Sequence, residues 1–136
     1  MKLLGLDHIG IVVRDIDDTI ARAGDTADGR ALGGRILAGD IDLQFLLFGE
    51  SRSELIEVRA AGLGMPTVKD GQTALIGYLG YEVSDLDDTI AEVTRRGVVL
   101  EGEGETDEVH WIFTAPQTTF GLTLQLTEQK GRGTGA

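Results

Sequence analysis

The chain contains no cysteine, which excludes disulfide bonds, thiolate metal ligands and a thiol nucleophile. It is also poor in basic residues, with 12 Lys and Arg against 23 Asp and Glu and a net charge of −11. Such a chain repels nucleic-acid phosphates and anionic membranes. We therefore expect neither nucleic acid nor a membrane as a partner. A small anionic ligand is still compatible, because a few buried donors outweigh distant solvated charges.

No apolar run approaches the roughly 18 residues that a membrane span needs. The first five residues are too few, and become polar too soon, to form a signal peptide. We therefore expect a cytoplasmic protein. Its 136 residues are the size of one domain.

The chain contains an internal repeat. Residues 6–21, LDHIGIVVRDIDDTIA, return without a gap at residues 76–91 as IGYLGYEVSDLDDTIA. A repeat of this length indicates one supersecondary module used twice, each copy covering the apolar face of the other. The copies differ at a chemically important position, where His8 of the first becomes Tyr78 of the second.

Each copy predicts a strand, over 9–13 and 79–83, followed by a helix with Asp15 or Asp85 as its N-cap. The Asp pairs that follow lie in the first helical turn, where the helix dipole favours negative charge, so we interpret them as helix starts and not as cation sites. We expect the first helix to fray near Gly24 and the second to end at Gly97.

Further β-rich runs predict a hairpin in each half, over 41–48 with 52–58 and over 109–114 with 122–127. We also expect a short strand at 98–100, an acidic glycine-rich turn at 101–105 and a loop at 24–40. The fold class is therefore predicted as α+β: two tandem βαβββ modules forming a cupped mixed sheet. The expected boundaries are a first module at 1–59, a linker at 60–74, a second module at 75–128 and a disordered tail at 129–136, in one domain.

Strand alternation places His8 and Gly10 on one face, while Ile9 and Ile11 lie on the face that packs on the helix. The corresponding face of the second copy carries Tyr78, Gly80 and Glu82, which are two residues apart in turn. Glu54 alternates into a face shared with apolar Ile56 and Val58, and an acid in that setting needs a partner.

Four segments carry a family resemblance: DHIGIVVRD at 7–15, GESRSELIE at 49–57, GYEVSDL at 80–86, and FTAP to GLTLQL between 113 and 126. Over about residues 5–128 the chain resembles the vicinal oxygen chelate superfamily, also called the glyoxalase/bleomycin-resistance/extradiol-dioxygenase superfamily. Within it, the chain is most similar to methylmalonyl-CoA epimerases. The resemblance implies a homodimer and a small-molecule substrate or ligand.

In that family each half supplies two ligands to one divalent metal. The matching positions here are His8 and Glu54 from the first half and Tyr78 and Gln125 from the second, so the resemblance implies that these four converge on one hollow. The family usually has His at position 78 and Glu at 125. One hypothesis is therefore a weak site for Zn, Mn, Co or Fe at His8, Glu54 and Gln125, because neutral Tyr is a poor ligand.

A second hypothesis uses the same residues without metal. His8, oriented by Glu54, would be a general base, Tyr78 would hydrogen-bond a substrate carbonyl, and Gln125 would orient it. This favours proton transfer beside a carbonyl, as in an epimerase, isomerase, lyase or cyclase. The alternative is a non-catalytic small-molecule binding or antibiotic-sequestering protein. Taken singly, Tyr78 has the further interpretation of a core aromatic residue, and Gln125 that of a solvated rim residue. His110 is interpreted as a surface or rim residue.

Overall fold

The computed structural model describes residues 1–60 and 65–131. Two helices and eight strands follow one another in the repeated order strand, helix and three strands, which confirms the α+β prediction. A 3-10 turn, Pro116–Thr118, precedes the last strand. The elements are β1 Leu3–Val13, α1 Ile16–Ala27, β2 Arg30–Ala38, β3 Ile41–Phe48, β4 Ser51–Val58, β5 Ala74–Val83, α2 Leu86–Arg95, β6 Leu100–Glu105, β7 Val109–Thr114 and β8 Leu124–Gln129.

The chain divides into two compact units. The first unit is His8–Gly77, and the second unit combines Met1–Asp7 with Tyr78–Ala136. In the first unit the strand order is β2-β3-β4-β1, and only the β4–β1 pair is parallel. The second unit repeats this pattern as β6-β7-β8-β5, with a parallel β8–β5 pair. Each set of four strands therefore combines parallel and antiparallel pairs, as expected of a mixed sheet.

Helix α1 packs on one face of the sheet in the first unit. Its buried residues Ile16 and Ala23 form a cluster with Val13, Leu46 and Leu55, and Ile11 packs against that cluster. The expected alternation of β1 is therefore confirmed, and the opposite side carries His8, Gly10 and Val12. We call this side the helix-free face of the first unit.

Helix α2 packs on one face of the sheet in the second unit in the same way. Leu86 forms a buried cluster with Val83, Ile112 and Leu126. The other side, the helix-free face of the second unit, carries residues that alternate with this cluster along β5 and β8.

Both predicted N-caps are confirmed. An Asp15 carboxylate oxygen accepts a hydrogen bond from the N–H of Asp18 at 2.9 Å, and Asp85 does the same for Asp88 at 3.0 Å. These bonds satisfy an N–H that the first turn of a helix otherwise leaves unpaired.

A second carboxylate also reaches each helix start. Oε1 of Glu57, on β4, accepts from the N–H of Ile16 at 2.9 Å, and Oε1 of Glu128, on β8, accepts from the N–H of Leu86 at 2.7 Å. The last strand of each module therefore fixes the position of its helix.

The loop expected at 24–40 is wrong. Helix α1 continues through Gly24 to Ala27, and residues 30–38 form the edge strand β2. The register of β2 shifts between Leu32 and Ile36, and the Gln44 side-chain amide donates to the Gly33 carbonyl at 2.7 Å. The bulge accommodates the glycines that suggested a loop.

The turn expected at 101–105 is also wrong, because these residues belong to β6 and pair with β7. The strand is possible because glycine makes room for an aromatic ring. A Cβ on Gly104 would lie 2.1 Å from Trp111 Cζ2, so only glycine lets the indole lie against this backbone. Of the short strand expected at 98–100, only Leu100 is in β6.

Arg14 anchors part of the linker. Its guanidinium donates to the carbonyl oxygens of Lys69 and Gln72, and its backbone N–H donates to the Thr73 carbonyl. Residues 61–64 lie outside the described residues.

The disordered tail expected at 129–136 starts too early, because its first residue still belongs to the last strand. Gln129 ends β8, and the Lys130 N–H donates to the Glu108 carbonyl at 2.8 Å. Residues 132–136 lie outside the described residues. Across the described ranges, neither helix is long and apolar enough to cross a membrane.

Candidate functional site

His8 and Glu54 lie on the helix-free face of the first unit. Glu54 is opposite Gly10 in the parallel β1–β4 register, and it precedes Leu55, which packs against α1. His8, two residues before Gly10, is therefore a diagonal neighbour of Glu54 on the same face. His8 is buried, with 6% of its surface exposed, and Glu54 is half-buried.

An aromatic side chain lies beside this pair. Phe45 of β3 is directly opposite Glu54, and the His8 and Phe45 rings meet edge-on with centroids 6.3 Å apart. The Arg52 guanidinium lies over the Phe45 ring, 5.2 Å from its centroid. His8, Phe45, Arg52 and Glu54 therefore form one cluster of side chains.

Tyr78 and Gln125 occupy the same arrangement in the second unit. Gln125 is opposite Gly80 in the parallel β5–β8 register, and Tyr78 is two residues before that glycine. Phe113 of β7 is opposite Gln125, and its ring meets that of Tyr78 edge-on at 5.1 Å. Tyr78 and Gln125 are both buried, with 4% and 8% of their surfaces exposed, so Gln125 is not a rim residue.

The two units therefore hold equivalent frames with different chemistry. In each, a glycine faces a polar residue across a parallel strand pair, and a phenylalanine opposite that polar residue meets the ring of the first strand edge-on. The structure brings His8 together with Glu54 and Tyr78 together with Gln125. That all four serve one site stays a prediction.

The oxygen of the Gln125 amide is already engaged. Thr127 Oγ1 donates to Gln125 Oε1 at 2.9 Å inside the second unit. Glu82, also buried, is opposite Thr127 in the register. The Gln125 amide therefore presents its N–H groups, which are hydrogen-bond donors, to other partners.

These residues do not fit a four-ligand metal centre. Nowhere in residues 1–60 and 65–131 do three or more His, Asp or Glu side chains group so that they could hold a metal ion. His8 and Glu54 are two suitable donors. However, the side-chain oxygen of Gln125 already accepts a hydrogen bond from the Thr127 hydroxyl, and Tyr78 would have to lose its phenol proton to coordinate a metal ion. The four positions thus offer two ready ligands, too few to hold a divalent ion tightly.

His110 has a different environment from His8. Its Nε2 lies 2.7 Å from a Glu103 carboxylate oxygen on the edge strand β6. Beside it, the hydrogen bond and charge of Lys130 hold the pKa of the exposed Glu105 carboxyl below its usual range. His110 thus belongs to a network of polar and charged side chains at the edge of the sheet.

Sequence reasoning missed Phe45, Phe113 and Arg52. Two signals could have found them. Pairing each predicted hairpin by its turn would have placed both phenylalanines opposite Glu54 and Gln125, and strand alternation would have placed Arg52 on the face of Glu54.

The fold and the repeated frame define a protein class. The sequence profile of the glyoxalase/bleomycin resistance protein/dioxygenase superfamily matches residues 7–114, which is more than half of the chain. The chain belongs to this superfamily.

Solved structures agree with this assignment. Methylmalonyl-CoA epimerase from Mycobacterium tuberculosis is 23% identical, with a TM-score of 0.76 over 93% of this chain and 89% of that one. A hypothetical protein of Bacillus halodurans C-125 is 25% identical, with a TM-score of 0.73 over 91% and 93% of the two chains. A variant of the Streptomyces coelicolor methylmalonyl-CoA epimerase, in complex with 2-nitronate-propionyl-CoA, is 17% identical, with a TM-score of 0.70 over 94% and 99%.

These similarities to the epimerases establish a shared fold. No curated protein matches the chain by sequence.

Proposed function

We propose that the chain is a glyoxalase-like enzyme that transfers a proton at the carbon beside a carbonyl group of a small molecule. The reaction would be of the epimerase, isomerase, lyase or cyclase type, and the carbonyl compound a CoA thioester or a natural-product intermediate. His8 would take the proton and Glu54 would orient the imidazole. Tyr78 and Gln125 would bind the carbonyl oxygen.

The observation that supports this proposal is the duplicated frame. The scaffold of each unit is the same, yet one unit places an imidazole and a carboxylate where the other places a phenol and an amide. Histidine is the side chain most often used for proton transfer, and a neighbouring carboxylate selects the tautomer that can accept a proton.

The second pair supplies hydrogen-bond donors. The Tyr78 hydroxyl can donate, and the Gln125 amide presents N–H groups because its oxygen accepts from Thr127. Donors aimed at an oxygen that gains negative charge lower the barrier to forming an enolate. An acceptor pair and a donor pair are what proton abstraction beside a carbonyl requires.

The similarity to methylmalonyl-CoA epimerases also supports the proposal. An epimerase inverts one stereocentre, and methylmalonyl-CoA is a thioester, which supplies the carbonyl group that the proposed proton transfer requires. This chain belongs to the superfamily and shares the fold of the epimerases.

The test is deuterium wash-in from D2O at the carbon beside the thioester carbonyl of methylmalonyl-CoA and related acyl-CoA compounds. We expect His8→Gln to slow wash-in by about 100-fold or more, the usual contribution of a general base. Tyr78→Phe should slow it by roughly 10- to 100-fold. His110→Gln removes the other histidine of the chain and should leave the rate unchanged.

A chelator separates the two chemical hypotheses. Wash-in that persists after dialysis against EDTA, with less than about 0.1 equivalent of metal retained, supports proton transfer by side chains alone. If EDTA abolishes wash-in and added Mn, Co or Zn restores it, the reaction would be assigned to a metal at His8 and Glu54. Absence of wash-in with every thioester that binds would make the protein a non-catalytic binder.

We also propose that the chain forms a homodimer. All nine residues of the edge strand β2 are exposed, and Leu32, Ile36 and Leu37 expose 41%, 45% and 72% of their surfaces. An exposed edge strand with apolar side chains favours pairing with another chain.

A further inference from the structure

Aromatic side chains gather on the helix-free face of the second unit. Trp111 and Phe113 are two residues apart on β7, and Ile112 between them packs in the cluster beside α2. Trp111 and Phe113 therefore both lie on the side away from the helix. Phe113 in turn meets the Tyr78 ring edge-on. The chain has only four Phe, two Tyr and one Trp, so this face holds a large share of its aromatic residues.

Two glycines of the edge strand β6 make room for the β7 rings. A Cβ on Gly102 would lie 3.1 Å from Phe113 Cδ2, and a Cβ on Gly104 would overlap the indole of Trp111. Because Gly104 is also opposite Trp111 in the register, the indole lies against the edge strand. Trp111 is half-buried, which leaves part of its surface open on the helix-free face.

The scaffold does not demand a tryptophan at this position. Leu43 of β3 corresponds to Trp111 of β7, because each is two residues before the phenylalanine of its frame. Leu43 is opposite Ile36, whereas Trp111 is opposite Gly104. An aliphatic pair thus serves the same place in the first unit. An indole set against glycine in the second unit therefore calls for a further reason.

The indole lies beside hydrogen-bond donors of the candidate site. Trp111 is opposite Thr127 in the antiparallel β7–β8 register. The Thr127 hydroxyl donates to Gln125 Oε1, so the Gln125 amide presents its N–H groups on this face. Within residues 1–60 and 65–131, no other aromatic ring stacks on the indole. The face therefore combines an open ring surface with donors that suit a carbonyl oxygen.

We propose that Trp111 is a stacking platform for a flat conjugated ring of the substrate, which makes the substrate an aryl or similarly conjugated carbonyl compound. This inference rests on the proposed function, because it places a planar ring next to the carbonyl group at which the proton is transferred. It favours a natural-product intermediate over a plain acyl thioester. Two flat rings in contact gain dispersion and quadrupole attraction beyond the burial of apolar surface, and a puckered saturated ring does not.

The test compares binding of 2-acetylnaphthalene with binding of 2-acetyldecalin, the same ketone on a saturated ring system. Trp111 is the only tryptophan of the chain, so its emission reports contact with a ligand ring directly. Isothermal titration calorimetry gives the dissociation constants. We expect the naphthyl ketone to quench Trp111 in a saturable way and to bind about 5- to 10-fold more tightly than the decalin ketone.

Variants identify the platform. Trp111→Leu should weaken binding of the naphthyl ketone by about 5- to 10-fold, and Trp111→Phe, which keeps a flat ring, by less. The double variant Trp111→Leu with Gly104→Ile installs the aliphatic pair that the first unit carries and fills the space left by the indole. It should bind the naphthyl ketone as weakly as Trp111→Leu, which separates loss of the ring from loss of packing.

Phe120→Leu is the matched control. Phe120 exposes 78% of its surface in the loop before β8 of the same unit, so this change should leave binding of the naphthyl ketone unchanged. Equal weakening by Phe120→Leu and Trp111→Leu would overturn the platform. Binding by the double variant as tight as that of the wild type would also overturn it.

The two proposals fail in different ways. If both ketones bind equally well, or neither binds in a saturable way, while acyl-CoA thioesters still take up deuterium, the platform fails and the proposed catalysis stands. If binding of the naphthyl ketone depends on Trp111 while no deuterium wash-in occurs beside any carbonyl group, the platform stands and the proposed catalysis fails.

Discussion

Gly104 is a single residue on which the second unit depends. Because its missing Cβ would lie 2.1 Å from the indole of Trp111, Gly104→Ala forces the ring or strand β6 to move. We expect a loss of about 1–3 kcal/mol in the free energy of unfolding, the usual cost of overpacking. Urea denaturation would measure it, and the emission of Trp111, the only tryptophan of the chain, would report the displaced ring.

Gly34 provides the matched control at the same scale. A Cβ there would meet no atom within 4 Å, although Gly34 also lies in an edge strand. Gly34→Ala should therefore leave stability unchanged within about 0.5 kcal/mol. Equal destabilisation by both variants would show that the backbone, and not the Trp111 contact, requires glycine in these strands.

The difference between His8 and Tyr78 is also a matter of single residues. Both rings are buried and both meet a phenylalanine edge-on, so packing alone does not select between imidazole and phenol. Their chemical difference is best explained by the different tasks that the proposed reaction assigns to them.

At the scale of elements, the contact between a last strand and its helix can be tested directly. Glu128 of β8 accepts a hydrogen bond from the first N–H of α2 and also brings negative charge to the positive end of the helix. We expect Glu128→Ala to lower the free energy of unfolding by about 1–2 kcal/mol and Glu128→Gln, which keeps an acceptor, by less. Urea denaturation would give both values.

Glu50 serves as the control for this prediction. It is exposed in the turn between β3 and β4, so Glu50→Ala should have little effect on stability. If Glu128→Gln were as damaging as Glu128→Ala, then charge, and not hydrogen bonding, would position the helix.

The elements show what the sequence could predict. The repeat, the two N-caps and the alternation of β1 were sufficient to predict two βαβββ modules, because each depends on residues close together in the chain. Strands β2 and β6 were missed because both are glycine-rich edge strands. Their extended conformation depends on pairing with β3 and β7, so composition alone indicates a loop.

The candidate site was predictable only in part, for the same reason. Strand alternation identified the faces of His8, Glu54, Tyr78 and Gln125. The phenylalanines that contact the two rings depend on the register between strands, whereas the hydrogen bond from Thr127 to Gln125 joins two residues of one strand. The turn of a hairpin indicates the register of its own two strands, but the register of the parallel β1–β4 and β5–β8 pairs joins residues far apart in the chain, which the residue pattern alone does not specify.

At the scale of the whole molecule, the proposed homodimer predicts the mass in solution. Sedimentation equilibrium should give twice the 14.5 kDa of one chain. Leu37→Asp places a charge on the most exposed of the three large apolar residues of β2 and should weaken self-association by about 10-fold or more, because burying an unpaired charge is costly.

Leu122→Asp is the control for this prediction, since Leu122 is exposed in the other unit. A wild-type chain that sediments at 14.5 kDa would contradict the dimer. If Leu122→Asp dissociates the dimer and Leu37→Asp does not, the dimer interface lies away from β2.

The compact unit that contains α2 also takes in the first seven residues of the chain. Within it, the Ser84 N–H donates to the Lys2 carbonyl at 3.3 Å, and the terminal amino group lies 3.2 Å from the Asp88 carboxylate. The amino-terminal segment thus packs with the second copy of the module, although in the chain it is continuous with the first.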